Sequence, residues 1–176
     1  MDTVYWIETP RLRLRCLTPE DTPALWACRN DPLCAQYQHW ADTSSEVIRQ
    51  WIEQFRSCRF LSQEPEQHYA ICQKEGQMVG DLSWFYNPSD RCITLGYTIA
   101  RPYQRKGYAF EILSALIRRA REAFPALDLV ALVEPENIPS IRLLEKLGFQ
   151  QECWAEKIHS FIYSIPAENQ NGADAL

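Results

Sequence analysis

Hydrophobic positions change period several times along the chain, and each change marks an element. In Arg11-Leu12-Arg13-Leu14-Arg15-Cys16-Leu17 apolar residues alternate with arginines, which predicts a first strand with one buried face and three arginines on a solvated face. Thr18-Pro19-Glu20-Asp21 then supplies a capping threonine, a proline at the first helical position and acids in the first turn. A helix is expected from there to about Arg29, stopping at Asn30-Asp31-Pro32. The start signal recurs at Thr43-Ser44-Ser45-Glu46, ahead of a stripe of Val47, Ile48, Trp51, Ile52 and Phe55. Between the two helices, Leu33 to Asp42 carries Tyr37, His39 and Trp40, an aromatic loop that either caps the core or lines a substrate pocket.

Strands are expected at His68 to Gln73 and Met78 to Tyr86, joined by the hairpin turn Lys74-Glu75-Gly76-Gln77. Cys92 to Ile99 alternates and is rich in β-branched and aromatic residues, as a half-buried strand should be. From Ala109 to Phe124 the stripe Ile112, Leu113, Leu116, Ile117 and Ala120 predicts a helix lying on a sheet. Leu129 to Val133 is continuously apolar, which predicts a central strand covered on both faces and parallel to its predecessor across the helical crossover. A short helix bearing Ile141, Leu144 and Leu147 ends at Gly148, and two last strands span 149–154 and 158–165. Residues 167–176 are polar and are expected to be a disordered tail.

A chain of 176 residues with 46% apolar content can bury one sizeable core, so a single domain over residues 1–166 is expected. The formal charge of −5 and an isoelectric point near 5.3 argue against nucleic acid as a partner. Seven cysteines occur without a C-x-x-C pair, and the three histidines are far apart, so neither a zinc site nor another metal is expected. The cysteines read as reduced packing residues of a reducing compartment. Neither a signal peptide nor a membrane-spanning run is evident, and a cytoplasmic location follows as the default.

The candidate chemistry lies in Gln104-Arg105-Lys106-Gly107-Tyr108-Ala109, between a strand and a helix start. Pro102 excludes a continuing ladder, and Gly107 admits a ligand close to the backbone. Amides from about residue 104 to 109, with Arg105, Lys106 and the helix dipole, are expected to form a concavity for a pyrophosphate. The Lys-Ser/Thr pair of a P-loop is missing, and no G-x-G-x-x-G opens a helix. An ordinary strand-to-helix turn satisfies the same six residues.

Taken in order, the strand, the phosphate loop, the amphipathic helix, the buried strand, Asn137-x-x-Ser140 and Lys146-Leu147-Gly148-Phe149 resemble the GNAT superfamily of acyl-CoA-dependent N-acetyltransferases. Gln104 to Ala109 matches its Q/R-x-x-G-x-G/A signature, and Thr9 to Arg15 followed by Thr18 to Asp21 resembles the branch of ribosomal-protein N-terminal acetyltransferases. The resemblance implies an α/β (α+β) fold: a mixed, twisted sheet of about six to seven strands with about four helices, whose two central parallel strands splay apart around acetyl-CoA. It implies that amides of Gln104, Arg105, Lys106, Gly107, Tyr108 and Ala109 hold the pyrophosphate, that Tyr97 to Ile99 pair with the pantetheine arm, and that the Ile99 amide polarises the thioester carbonyl. Asn137 is implied as a cofactor contact, with a helix-starting Asx turn as its alternative. Many members carry a tyrosine acid where this chain has Leu144; Ser140 matches the serine of the ribosomal-protein branch, proposed partner of the leaving sulfur, unless it merely caps the helix.

An attacking amine must lose a proton near neutral pH, and candidate bases are Glu152, Glu156, His159, Asp81 and Tyr97, with His159 favoured by its place in the resembling branch. Glu64, Glu66, Asp81, Asp90, Glu152 and Glu156 would suit a cationic acceptor. The expected reaction is acetyl transfer from acetyl-CoA to a primary amine, of a small molecule or a protein N-terminus, by a monomer or homodimer. The competing readings are a non-catalytic acyl-CoA sensor, kept alive by Leu144, and a nucleotide-binding domain unrelated to CoA.

Overall fold

One twisted sheet of eight strands runs through the computed structural model, which describes residues 4–38, 40 and 43–168. In chain order the elements are β1 (Ile7–Glu8), β2 (Leu12–Cys16), α1 (Thr22–Asn30), α2 (Pro32–Ala35), α3 (Ser45–Phe55), β3 (Glu66–Gln73), β4 (Met78–Asn87), β5 (Cys92–Ile99), α4 (Tyr108–Ala123), β6 (Asp128–Val133), α5 (Ile138–Lys146), β7 (Gln150–Ala155) and β8 (Ser160–Ile165). The sheet order is β1-β2-β3-β4-β5-β6-β8-β7, antiparallel throughout except for the parallel pair β5–β6. The mixed sheet and parallel crossover match expectation. The strand count of about six to seven and the helix count of about four do not: among the described residues there are eight strands and five α-helices. The additional pieces are too short for periodicity to reveal, a two-residue β1 and a single turn, α2, inside the expected aromatic loop.

Strand alternation divides the core into two layers. Leu12, Leu14, Tyr69, Ile71, Leu82, Trp84, Ile93 and Leu95 point to the face covered by α4, where Ile112, Leu113, Leu116 and Ala120 meet them; α5 adds Leu144. The other face carries Ala70, Cys72 and Met78, covered by Leu25 of α1 and by Ile48, Ile52 and Phe55 of α3. Those helices stop short of β6. Val130 is half-buried and Leu132 is 46% exposed, so the expected two-sided cover of that strand is corrected: one face of β6 is open.

Two further expectations change. The arginines in and just before β2 are not a solvated row: Arg11 pairs with Glu111, Arg13 lies 3.4 Å from Glu8, and Arg15 is buried against Asp21. Nor are all cysteines reduced: Cys16 at the end of β2 is disulfide-bonded to Cys58, after α3, with Cα atoms 5.8 Å apart. Their separation of 42 residues hides the pairing from any local pattern. Ala167 and Glu168 are held by Asp128 Oδ1 and the Pro125 carbonyl, and the rest of the expected tail lies outside the described residues.

Candidate active site

The loop ahead of α4 leaves most of its amides without a partner among the described residues, with Gln104 the exception in the expected row 104–109. Arg105 and Gly107 both adopt left-handed conformations, φ 61° and 79°, and this alternation turns successive N–H groups to one side. Among the described residues, the amides of Arg105, Lys106, Gly107, Tyr108 and Ala109 have no acceptor, as expected for a helix start whose N-cap is a glycine. Gln104 serves differently. Its amide bonds the Arg101 carbonyl at 3.3 Å and its side chain donates to the Ile99 carbonyl at 2.8 Å, bracing the loop against β5. A second brace comes from the chain's other end. Glu111, in the first turn of α4, accepts from Thr9 Oγ1 (2.5 Å), Arg11 N (2.9 Å) and Arg11 Nε (2.6 Å), while Arg11 Nη1 donates to the Lys106 carbonyl at 2.9 Å. Burial would raise the Glu111 carboxyl, but these donors hold it below the usual range.

The central strands do splay. β5 and β6 pair only through Cys92–Asp128, Ile93–Leu129 and Thr94–Val130, so Leu95 to Ile99 face no strand on that side. Since Ala100 N donates to Val79 O across β4, alternation turns the Tyr97 and Ile99 N–H groups toward the opening. The start of α5 lies across the gap. Asn137 caps it by accepting from the Ser140 amide at 3.3 Å, so its carboxamide oxygen takes the Asx-turn role. The Ser140 hydroxyl meets the Tyr97 phenol at 2.7 Å, a hydrogen bond that bridges the two elements. Burial pushes that phenol up to about 12, with Ser140 acting against the shift, so it remains protonated in the physiological range. Leu144 is only 2% exposed and belongs to the core. Tyr37, from the segment after α2, donates to the Glu136 carbonyl at 3.1 Å and ties that segment to the loop preceding α5.

His159 sits at the β7–β8 hairpin in a left-handed conformation, its ring packed edge-on against Trp154 at 4.9 Å. The candidate acids do not gather into one patch. Asp90 bonds Asn87 in the β4–β5 turn, at the far end of β5 from the splay; Glu152 holds the Ser164 hydroxyl, Glu156 the Trp154 indole and Glu64 the Gln67 amide. His39 lies outside the described residues.

The face of the sheet opposite α4 carries groups of a different kind. His68 bonds Glu66 at 2.6 Å, its ring enclosed by Trp51 (4.4 Å), Phe55 (4.5 Å) and Phe85 (5.8 Å), and burial holds its imidazole below the ordinary value despite Glu66. Asp81 of β4 is 7% exposed and its Oδ1 has no hydrogen-bond partner among the described residues. It borders a cavity of about 260 Å³ walled by α1, the start of β4 and the segment Ala100–Tyr103. Periodicity did not single out His68 or the enclosure of Asp81, because both depend on which helix lies over the strand.

Burial pushes the Asp81 carboxyl up to about 6, with Arg29 pulling it back. The unfolded value is lower, so between the two the folded chain takes up a proton that the unfolded chain does not. This group therefore adds stability as pH falls through 6 and withholds it above. Asp81→Asn is expected to raise the thermal midpoint at pH 8, by up to about 3 kcal/mol of stability, and to lose that advantage near pH 4. Parallel melting curves at the two pH values check it.

Residues 11–150 match the family model for the acetyltransferase (GNAT) domain, and the chain belongs to that family. Its relatives include the uncharacterized N-acetyltransferase p20 of Bacillus licheniformis, 29% identical over 154 residues that cover 86% of this chain and 84% of p20. The crystal structure of a GNAT-family acetyltransferase from Bacillus anthracis superposes with a TM-score of 0.79 at 21% identity, over 91% of this chain and 97% of its own. RimL, a ribosomal-protein α-N acetyltransferase solved in complex with coenzyme A, superposes with a TM-score of 0.78 at 19% identity, over 93% and 98%.

Proposed function

We propose that the protein transfers an acetyl group from acetyl-CoA to a primary amine by direct attack on the thioester. The observation that carries this reading is the open edge of β5 at Tyr97–Ile99, flanked on one side by unpaired amides and on the other by the Ser140–Tyr97 hydroxyl pair. The bound cosubstrate supplies an activated acyl carbon with a thiolate leaving group. The amides of Arg105 to Ala109 hold its diphosphate, and Lys106 and Arg105 add charge there. The Ile99 N–H stands where a carbonyl oxygen gains negative charge. Ser140, in the first turn of α5, is the proton donor to the sulfur, with Tyr97 behind it; the helix N-terminus favours negative charge at that spot. These hydroxyls stand in for the tyrosine that Leu144 replaces.

Asn137 contributes to the cofactor side through the helix turn it fixes under Ser140. His159 is assigned as the base that relieves the amine of its proton, through water. His159→Ala is expected to lower kcat with CoA affinity intact; an unchanged pH–rate profile removes it from the mechanism.

Calorimetric titration with CoA, followed by thiol release from acetyl-CoA over a panel of small amines and N-terminal peptides, tests the whole reading. Binding with release is expected. Binding without release on any acceptor establishes the sensor reading instead. Gly107→Val tests the cradle on its own: a β-branched residue is costly at φ 79°, and its Cβ would also stand 3.4 Å from the Arg11 guanidinium. CoA affinity is expected to fall at least about tenfold with little change in the far-ultraviolet spectrum.

A further inference from the structure

The cavity beside Asp81 is the feature that the acetyl-transfer reading leaves unused. Its walls are mostly apolar, from Ala24, Leu25, Ala27, Val79, Ala100 and Pro102, and Asp81 is the carboxylate buried within them. A buried carboxylate oxygen without a partner costs free energy that an incoming donor would recover. The positive groups nearby do not meet it. Arg29 turns its guanidinium over the Trp51 ring (4.2 Å) and the Trp40 ring (5.2 Å), forms no ion pair with Asp81 within 4.0 Å, and Arg101 lies 3.8 Å from Asp31. His68, which also feels Arg29, is bonded to Glu66.

The position of Asp81 relates the cavity to the splay. Asp81 pairs with Thr98 in the β4–β5 register, between Tyr97 and Ile99 on the neighbouring strand, and both side chains point to the face opposite α4 and α5. Gly80, beside Asp81, leaves no room for a side chain against the Thr98 carbonyl, so β4 and β5 lie close here. An acceptor in the cavity therefore approaches β5 from the face opposite α5 and Ser140. β5, whose far edge is open from Leu95 to Ile99, is one strand spacing, about 4.8 Å, from the strand that carries Asp81. A nitrogen held on the carboxylate is thus separated from the reacting carbon. Chemistry requires the same separation, because pairing with a carboxylate keeps an ammonium protonated and unreactive.

We propose that Asp81 anchors a second, non-reacting ammonium group of the acceptor, so that the preferred substrates are short aliphatic diamines; this rests on the acetyl-transfer reading above. The volume fits that class. At about 30 Å³ for each water-sized unit, 260 Å³ admits roughly eight or nine heavy atoms, below the range of drug-sized ligands.

The test compares 1,4-diaminobutane with butylamine in the thiol-release assay, for the wild type, Asp81→Asn and the cavity-filling Ala27→Leu. The diamine is expected to show a KM at least about tenfold below that of butylamine, and both variants to collapse that ratio toward one while CoA affinity, read by calorimetry, is retained. Equal KM values for the two amines in the wild type overturn the proposal, as does a ratio that survives Asp81→Asn. Failure of every amine to release thiol defeats the enzyme reading, and the cavity is then read directly. Titration of 1,4-diaminobutane into methyl-labelled protein should give saturable shifts of the Ala24, Ala27 and Ala100 methyls that vanish in Asp81→Asn; their absence in the wild type overturns the site.

Discussion

Ser140→Ala is expected to lower kcat about 100-fold while leaving CoA affinity within about twofold of the wild type. β5 and α5 reach the splay from segments 43 residues apart, and the 2.7 Å contact between Ser140 and Tyr97 is the point at which they meet. A thiolate leaving from that gap needs a proton, and the Ser140 hydroxyl lies at a helix N-terminus that stabilises its conjugate anion. Tyr97→Phe removes the donor behind it and is expected to cost less, about tenfold, because Ser140 can still bond to water. The double variant should fall little below Ser140→Ala alone, since the two act in series. With the phenol held at about 12, neither variant should add a new alkaline limb to the rate profile between pH 7 and 10. Steady-state kinetics with calorimetric CoA titration decides this; a Ser140→Ala enzyme of full turnover transfers the acid role elsewhere.

What the sequence revealed and what it hid divide along a physical line. Pattern located β3 to β6 and α4 to within two residues, because an alternating strand repeats every second position, a central strand is continuously apolar and a helix repeats every third or fourth. The turn of unpaired amides ahead of α4 was legible too, since a proline, a glycine and a helix start lie within a few residues of one another. Contacts between distant segments were not. Arg11, just ahead of β2, looked solvated because its partner, Glu111, lies 100 residues away. The disulfide joins Cys16 to a loop beyond three helices. Leu132 looked buried because its strand is uniformly apolar, although no helix among the described residues extends far enough to cover it. Asp81 sat in a plain alternating strand, and only the placement of α1 over β4 makes it a buried carboxylate at a cavity.

Asp21→Ala is expected to destabilise the fold by about 3–5 kcal/mol, the largest loss foreseen for any single side chain outside the apolar core. Arg15 and Asp21 form a two-pronged pair, Nη1–Oδ2 2.7 Å and Nη2–Oδ1 2.8 Å, with both residues under 10% exposed. Asp21 Oδ2 also accepts from the Thr18 amide at 2.8 Å, and Arg15 Nη1 donates to the Cys16 carbonyl at 2.9 Å. Removing the carboxylate leaves a guanidinium buried without its counter-charge and an amide without its acceptor. At this chain length such a loss lowers the thermal midpoint by roughly 6–20 °C. Pairing the change with Arg15→Met should restore much of it, because two apolar residues carry no desolvation debt. The pair fastens the turn leading into α1 onto β2, and α1 is the wall of the Asp81 cavity. Asp21→Ala should therefore loosen that wall before it unfolds the sheet: at temperatures below the midpoint, amide exchange should quicken in Thr22–Asn30 while β5 and α4 remain protected. Uniform acceleration across all elements would show instead that α1 and the sheet open as one unit.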